Sequence, residues 1–176
     1  IYPILKEKSE SCDTKKSINN FVYVSSGVFH KNHERLLKAF IEAANKADRG
    51  ITLHLTLNKE ELAEKIYPKN LKVIFHGTLS RDGVNELYNS CEFAIYPSLV
   101  ESFGLPLIEA ANYGCKVIAS DLPYVHEIIG PSLTFDPYSI ESISNAILKA
   151  IDTDDLKGTK VLVENKLDNF IEFIIS

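Results

Sequence analysis

Residues 96–120 read YPSLVESFGLPLIEAANYGCKVIAS. The stretch starts at the end of a strand predicted over Glu92 to Tyr96 and enters a loop that carries Glu101. Gly104 and Pro106 then open a helix predicted over Leu105 to Tyr113, and Pro106 falls in the first turn, where its missing N–H costs nothing. Gly114 closes the helix, and Lys116 to Ser120 is β-branched enough to be the next strand. Strand, loop, helix and strand in that order form a crossover unit of a parallel sheet. Open sheets of this kind bind ligands beyond the C-terminal ends of their strands. Glu101 in the loop and Glu109 inside the helix are therefore placed to share one crevice, with the positive end of the helix dipole beside them.

The same alternation extends in both directions. Phe21 to Ser26 is predicted as a first strand, and His33 to Ala47 as a helix with Leu36, Leu37, Phe40, Ile41 and Ala44 on one stripe. Ile51 to Leu57 is a strand, Lys59 to Ile66 a short helix ending near Pro68, and Leu71 to His76 a third strand. Ser80 is a candidate cap for a helix running to Ser90. Beyond the central stretch come a short helix at Tyr124 to Ile129, a strand at Leu133 to Phe135 and a helix at Ile140 to Ile151. The polar, lysine-rich Ile1 to Asn20 reads as a linker, and Thr159 to Ile175 as an amphipathic terminal helix. The predicted fold class is α/β, a Rossmann-like doubly wound parallel sheet.

Composition narrows the function. A chain of 176 residues, 45% hydrophobic and 24% charged, is ordinary for a soluble globular domain with a substantial core. The net charge of −5 speaks against a dedicated nucleic-acid binder. No apolar run is long enough to span a bilayer. Cys12, Cys91 and Cys115 follow no CxxC or metal-ligand spacing and read as reduced thiols of a cytoplasmic protein. The chain begins with Ile1 and contains no Met, so Ile1 is not expected to be a translational start. No G-x-G-x-x-G follows the first strand, which disfavours dinucleotide binding. Ser98 lacks the context of a nucleophile elbow.

Glu101 and Glu109 stand eight positions apart, a spacing shared by Glu34/Glu42 and Glu164/Glu172. Only the Glu101 pair has a strand before it, SFGLP inside it and EAANYG after it. In that context the segment resembles the donor-binding core of the GT-B glycosyltransferases of retaining family 4 (group 1), over roughly Phe21 to Ile151. The resemblance implies the C-terminal half of a GT-B fold, with residues 1–20 a linker, 21–152 the nucleotide-sugar (donor) binding domain and 153–176 a helical tail. The N-terminal acceptor domain would then be absent from this chain. It further implies a hexosyltransferase-type enzyme of polysaccharide biosynthesis, moving a sugar from a nucleoside diphosphate to a glycan or lipid-linked acceptor. No metal or other cofactor is expected, and with a lipid-linked acceptor the full enzyme is expected to make peripheral contact with the cytoplasmic membrane face.

The resemblance also assigns roles. Glu101 is the catalytic candidate, contacting sugar hydroxyls near the anomeric carbon; the alternative is an acid that complements the helix dipole. Glu109 would accept hydrogen bonds from a ribose diol, or be a plain helical glutamate. The backbone of Ser102, Phe103, Gly104 and Leu105 would meet sugar hydroxyls and phosphate oxygens, with Gly104 allowing close approach. After the first strand, Gly27 and Lys31 match a phosphate-binding loop of the HKN type. The family's usual arginine is replaced by Val28, leaving His30 and Arg35 as candidates to restore the charge. Gly77 and Leu79, after the third strand, would face the base, while His126 is expected to be structural. Two further readings stay open: a nucleotide-sugar epimerase of GT-B fold and a non-catalytic nucleotide-sugar-binding module.

Overall fold

The computed structural model describes residues 16–62 and 66–163. Its central strand, β1 (Ser17–Tyr23), ends in Phe21, Val22 and Tyr23, all buried. A 3₁₀ turn at Phe29–Lys31 leads into α1 (His33–Lys46), whose apolar stripe is buried as its periodicity requires. There follow β2 (Ile51–Leu55), β3 (Leu71–Phe75), α2 (Arg81–Ser90), β4 (Cys91–Tyr96), α3 (Leu105–Asn112) and β5 (Lys116–Ser120). The chain continues through α4 (Pro123–Ile128), β6 (Ile129–Gly130), β7 (Leu133–Phe135), α5 (Ile140–Asp152) and β8 (Lys160–Val161).

The main sheet has the order β3-β2-β1-β4-β5-β7, and every neighbouring pair is parallel. Parallel neighbours need crossovers, and right-handed ones put successive helices on both faces. Helices α1 and α5 pack together on one side, while α2 packs on β1 and β4, and α3 on β5. The middle of the core is aromatic. Phe21 stacks on Phe93 of the neighbouring strand at 4.9 Å and meets Phe40 of α1 edge-on at 5.2 Å.

Three expectations change. The segment Ser17–Asn20 belongs to β1 rather than to a linker. Its polar residues hide an irregular strand start: Asn19 has φ 69° and the register with β4 shifts between Ser17 and Phe21. Lys16 secures this entry by donating to the Tyr88 carbonyl at 2.9 Å. The helix expected at Lys59 to Ile66 is, among the described residues, a 3₁₀ turn at Lys59–Glu61, since the Glu61 carboxylate folds back to accept from the Asn58 amide at 2.8 Å. The start of the expected terminal helix is extended. Lys160–Val161 pairs antiparallel with Ile129–Gly130, and the Thr159 hydroxyl accepts from the Val117 amide at 2.7 Å. The rest of that segment lies outside the described residues. Ser80 caps α2 as expected, accepting from the Gly83 amide.

Gly104, at the entry to α3, holds φ 58°, and a Cβ there would approach Ile128 Cδ1 to 2.7 Å and Leu107 Cδ1 to 3.1 Å. Its missing side chain therefore admits α4 as much as any ligand. We expect Gly104→Ala to cost about 1–2 kcal/mol, chiefly from the left-handed backbone, because the terminal methyls of Ile128 and Leu107 can move aside. Urea denaturation of the wild type and variant would measure this.

At the β2–β3 edge, His54 Nδ1 and His76 Nε2 share a hydrogen bond of 2.9 Å, and the rings stack at 5.2 Å. Burial, then the neighbouring His76, pushes the His54 pKa down from 6.5 to about 4. A folded pKa below the unfolded value means the unfolded chain binds the extra proton first, so stability falls as pH drops from 6.5 towards 4. With allowance for partial exposure, the loss should be about 1–2 kcal/mol across that window. His54→Asn should flatten this part of a stability–pH curve taken by thermal melting.

Candidate functional site

Strands β1 and β4 lie side by side, but the chain leaves them in opposite directions across the sheet, towards β2 and towards β5. Their following loops diverge and leave a crevice at the C-terminal edge. The two loops are clasped at its floor. The Leu99 amide donates to the His30 carbonyl at 2.9 Å. Asn32, buried in the left-handed conformation at φ 62°, donates through Nδ2 to the carbonyls of Pro97 at 3.1 Å and Pro137 at 2.8 Å. Asparagine tolerates that backbone, which ends the 3₁₀ turn and starts α1. The Tyr23 hydroxyl donates to the Lys31 carbonyl at 3.0 Å. Together these contacts fix the backbone from which Lys31 reaches into the crevice.

The Lys31 ammonium pairs with Glu101 Oε1, and both side chains are largely withdrawn from solvent. The same oxygen accepts from the Ser98 hydroxyl at 2.5 Å. Ser98 is fully buried, and its own carbonyl accepts from the Tyr124 hydroxyl at 2.8 Å and from Ser120 Oγ at 2.9 Å. The Glu101 carboxylate is therefore held by a chain of hydrogen bonds that reaches back to β5 and α4. Burial would raise its pKa, but the hydrogen bonds from Lys31 and Ser98 and the lysine charge outweigh it, and the net shift is downward. Glu101 is a carboxylate at neutral pH. The Tyr96 hydroxyl is turned towards the same carboxylate, lowering its pKa without a full hydrogen bond to any described group. Burial, then Glu101, pushes the Tyr96 and Tyr124 phenols well above their ordinary values, so both stay protonated.

Above this pair the cavity has a volume of about 540 Å³. Among the residues singled out in the sequence, Lys31, Leu79, Glu101, Ser102, Phe103, Gly104 and Leu105 line it. No side chain caps the N-terminus of α3 at Gly104, and this positive end of the helix opens on the cavity. Three sequence candidates do not line it. Gly27 packs towards Glu61, whose carboxylate a Cβ would strike. Gly77, at φ 65°, shapes the turn that presents Thr78 and Leu79, and a Cβ there would come within 2.8 Å of Asn58 Oδ1. Glu109 is turned to Arg81, Nη1 to Oε1 2.7 Å, with its side chain 14% exposed against 63% for the arginine.

Neither His30 nor Arg35, the two residues expected to stand in for the family's usual arginine, lines the cavity. Arg35 donates to Asn32 Oδ1 at 2.5 Å and lies over the Tyr138 ring. His126 pairs with Asp121 at 2.7 Å, outside the cavity lining. Sequence reasoning missed Arg81, Tyr96, Ser25, Thr56 and Thr78. Hydroxyl and tyrosine side chains near strand ends carry no spacing signal, and Arg81 meets Glu109 only through folding, 28 positions apart. Among the described residues no three His, Cys, Asp or Glu side chains gather as a metal site, and no helix is long and apolar enough to cross a membrane.

The chain is similar in sequence and in fold to known proteins. An O-antigen chain mannosyltransferase, RfbU of Salmonella typhimurium, is 29% identical over 150 residues, covering 80% of this chain and 40% of RfbU. A serotype-specific mannosyltransferase, WbdA of Escherichia coli, is 36% identical over 95 residues, covering 53% of this chain and 12% of WbdA. The chain thus spans well under half the length of these relatives. Among solved structures, TarM superposes with a TM-score of 0.66 at 18% identity, over 85% of this chain and 31% of TarM. The catalytic domain of a cholesterol-α-glucosyltransferase from Helicobacter pylori does so at 0.61 and 18% identity, over 77% of this chain and 87% of that domain. These likenesses establish a Rossmann-like sheet of the GT-B kind. The sequence pattern of the glycosyl transferases group 1 matches residues 6–167, nearly the whole length, and the chain belongs to that family.

Proposed function

We propose that this chain is the C-terminal, donor-binding domain of a retaining glycosyltransferase of family 4. The full enzyme would move a hexose from a nucleoside diphosphate to a hydroxyl of a glycan or lipid-linked acceptor. The observation that carries the reading is the convergence of Lys31 and Glu101, from separate loops, beside the open N-terminus of α3. A cation and a helix terminus suit a diphosphate, and an ionised carboxylate suits sugar hydroxyls and positive charge developing at the anomeric carbon. The mannosyltransferase names of the sequence relatives favour a hexose donor. The phosphate charge would be balanced by Lys31 and backbone dipoles, with no metal required by this reading. Retention would proceed through a glycosyl–carboxylate intermediate or by same-face attack with the departing phosphate as base. Acceptor contacts, and any peripheral membrane contact, belong to the remainder of the enzyme. The free, buried Cys91 and Cys115 fit a cytoplasmic setting.

In this reading Glu109 accepts the ribose diol, and Arg81, whose ion pair orients that carboxylate, is a positioning residue. A second reading, a non-catalytic nucleotide-sugar module, is favoured by Val28 and by the absence of Arg35 and His30 from the cavity lining. Calorimetric titration of the folded chain with UDP, GDP and ADP should give saturable binding of one of them. Glu109→Ala should weaken that binding about tenfold, the loss of one good charge-assisted contact, and Arg81→Ala by less. No binding by a folded chain would overturn the donor-domain reading. Donor binding without sugar transfer in the full-length enzyme would select the non-catalytic module.

A further inference from the structure

Lys31 and Glu101 are the charged side chains among the cavity-lining residues, and they are bonded to each other. The cation needed for phosphate and the carboxylate needed for sugar thus neutralise one another in the empty site. The two partners are not equally free to move. Glu101 is held by Ser98, itself fixed through Tyr124 and Ser120, whereas Lys31 is held at its backbone and carries a flexible four-carbon stem. A diphosphate entering the cavity must draw the ammonium off the carboxylate, which leaves a largely buried charge with only the neutral hydroxyls of Ser98 and Tyr96 to satisfy it. Stranding a charge in that way is costly. A sugar placed against Glu101 offers O–H donors in place of the ammonium, and the cost disappears.

The geometry points to the Lys31–Glu101 pair as a specificity device: it makes the crevice favour a diphosphate that carries a sugar over the same diphosphate without one. This rests on the donor-domain reading and adds a consequence for turnover. Once the sugar has left, Glu101 loses its hydroxyl donors, recaptures Lys31 and weakens the hold on the nucleoside diphosphate product. The pair closes the site before the donor arrives and after the sugar departs.

The test is calorimetric titration of the 176-residue chain and of Glu101→Gln with inorganic pyrophosphate. Glutamine keeps an acceptor for Ser98 but releases the ammonium, so pyrophosphate should bind about tenfold tighter. Unchanged or weaker binding overturns the proposal, as does failure of both proteins to bind pyrophosphate. The gain should vanish when Lys31→Met is introduced into both backgrounds; a gain that persists would reflect general repulsion by Glu101, and the pairing would be refuted. In the sugar arm, UDP is compared with UDP-glucose and GDP with GDP-mannose. The wild type should prefer the sugar-linked form, and Glu101→Gln should lose most of that preference; an equal preference in both proteins overturns the device. Glu101→Ala and melting curves guard against a misfolded glutamine variant. Failure of the wild type to bind any nucleoside diphosphate would instead count against the donor-domain reading, so the two failures are distinct.

Discussion

The molecule depends on the parallel pairing of β1 with β4. These strands are not consecutive in the chain, and their connections run to opposite edges of the sheet. Every other feature of the crevice follows from that reversal. The loops after β1 and β4 must part, yet their bases remain one strand spacing apart, so a side chain from each can meet. Stacking of Phe21 on Phe93 fixes the pairing from below, and the Leu99–His30 and Asn32–Pro97 hydrogen bonds fix it from above. An ion pair between residues 70 positions apart becomes possible because the sheet has already ordered both loops.

The support beneath Glu101 shows how a fold holds a largely buried carboxylate in its ionised form. Burial alone favours the protonated acid, and neighbouring tyrosines with raised pKa values show how far the surroundings resist charge. A serine hydroxyl and a lysine reverse the balance. The serine is the more durable of these contacts, since its backbone carbonyl is tied to β5 and α4. The lysine contact is exchangeable. A ligand can replace it with other donors, and the carboxylate stays where it was.

Much of this was legible in the sequence, for physical reasons that differ by element. The strands and helices from Phe21 onward follow from apolar period and from Gly and Pro placement, and most of the predicted elements fall within a few residues of the observed ones. Lys31, Glu101 and the SFGL backbone lie on the cavity because they sit on loops at strand ends, where topology alone decides which edge they occupy. What stayed hidden was tertiary. Ser17–Asn20 is polar and bulged, so it lacks the pattern of a strand, and it pairs because β4 offers an open neighbour. Lys160–Val161 extends because Ile129–Gly130 and Thr159 capture the segment. Gly104 was legible as a glycine but not for its packing reason, which is the approach of Ile128.

Position 28, where the family resemblance implies an arginine, is a valine, and this bears on how the positive potential is distributed. Val28 is half exposed, and Arg35 is committed to Asn32 and Tyr138, so neither puts charge over the cavity. Among the described residues, Lys31 and the start of α3 are left as the sources of positive potential along the cavity lining. The helix contribution is fixed in place and carries no counterion. The lysine contribution is conditional, because Glu101 holds it whenever the site is empty. A crevice with a second fixed cation would bind diphosphate strongly whether or not a sugar was attached. With one conditional cation among the described lining residues, the positive potential offered to an anion depends on what occupies the carboxylate.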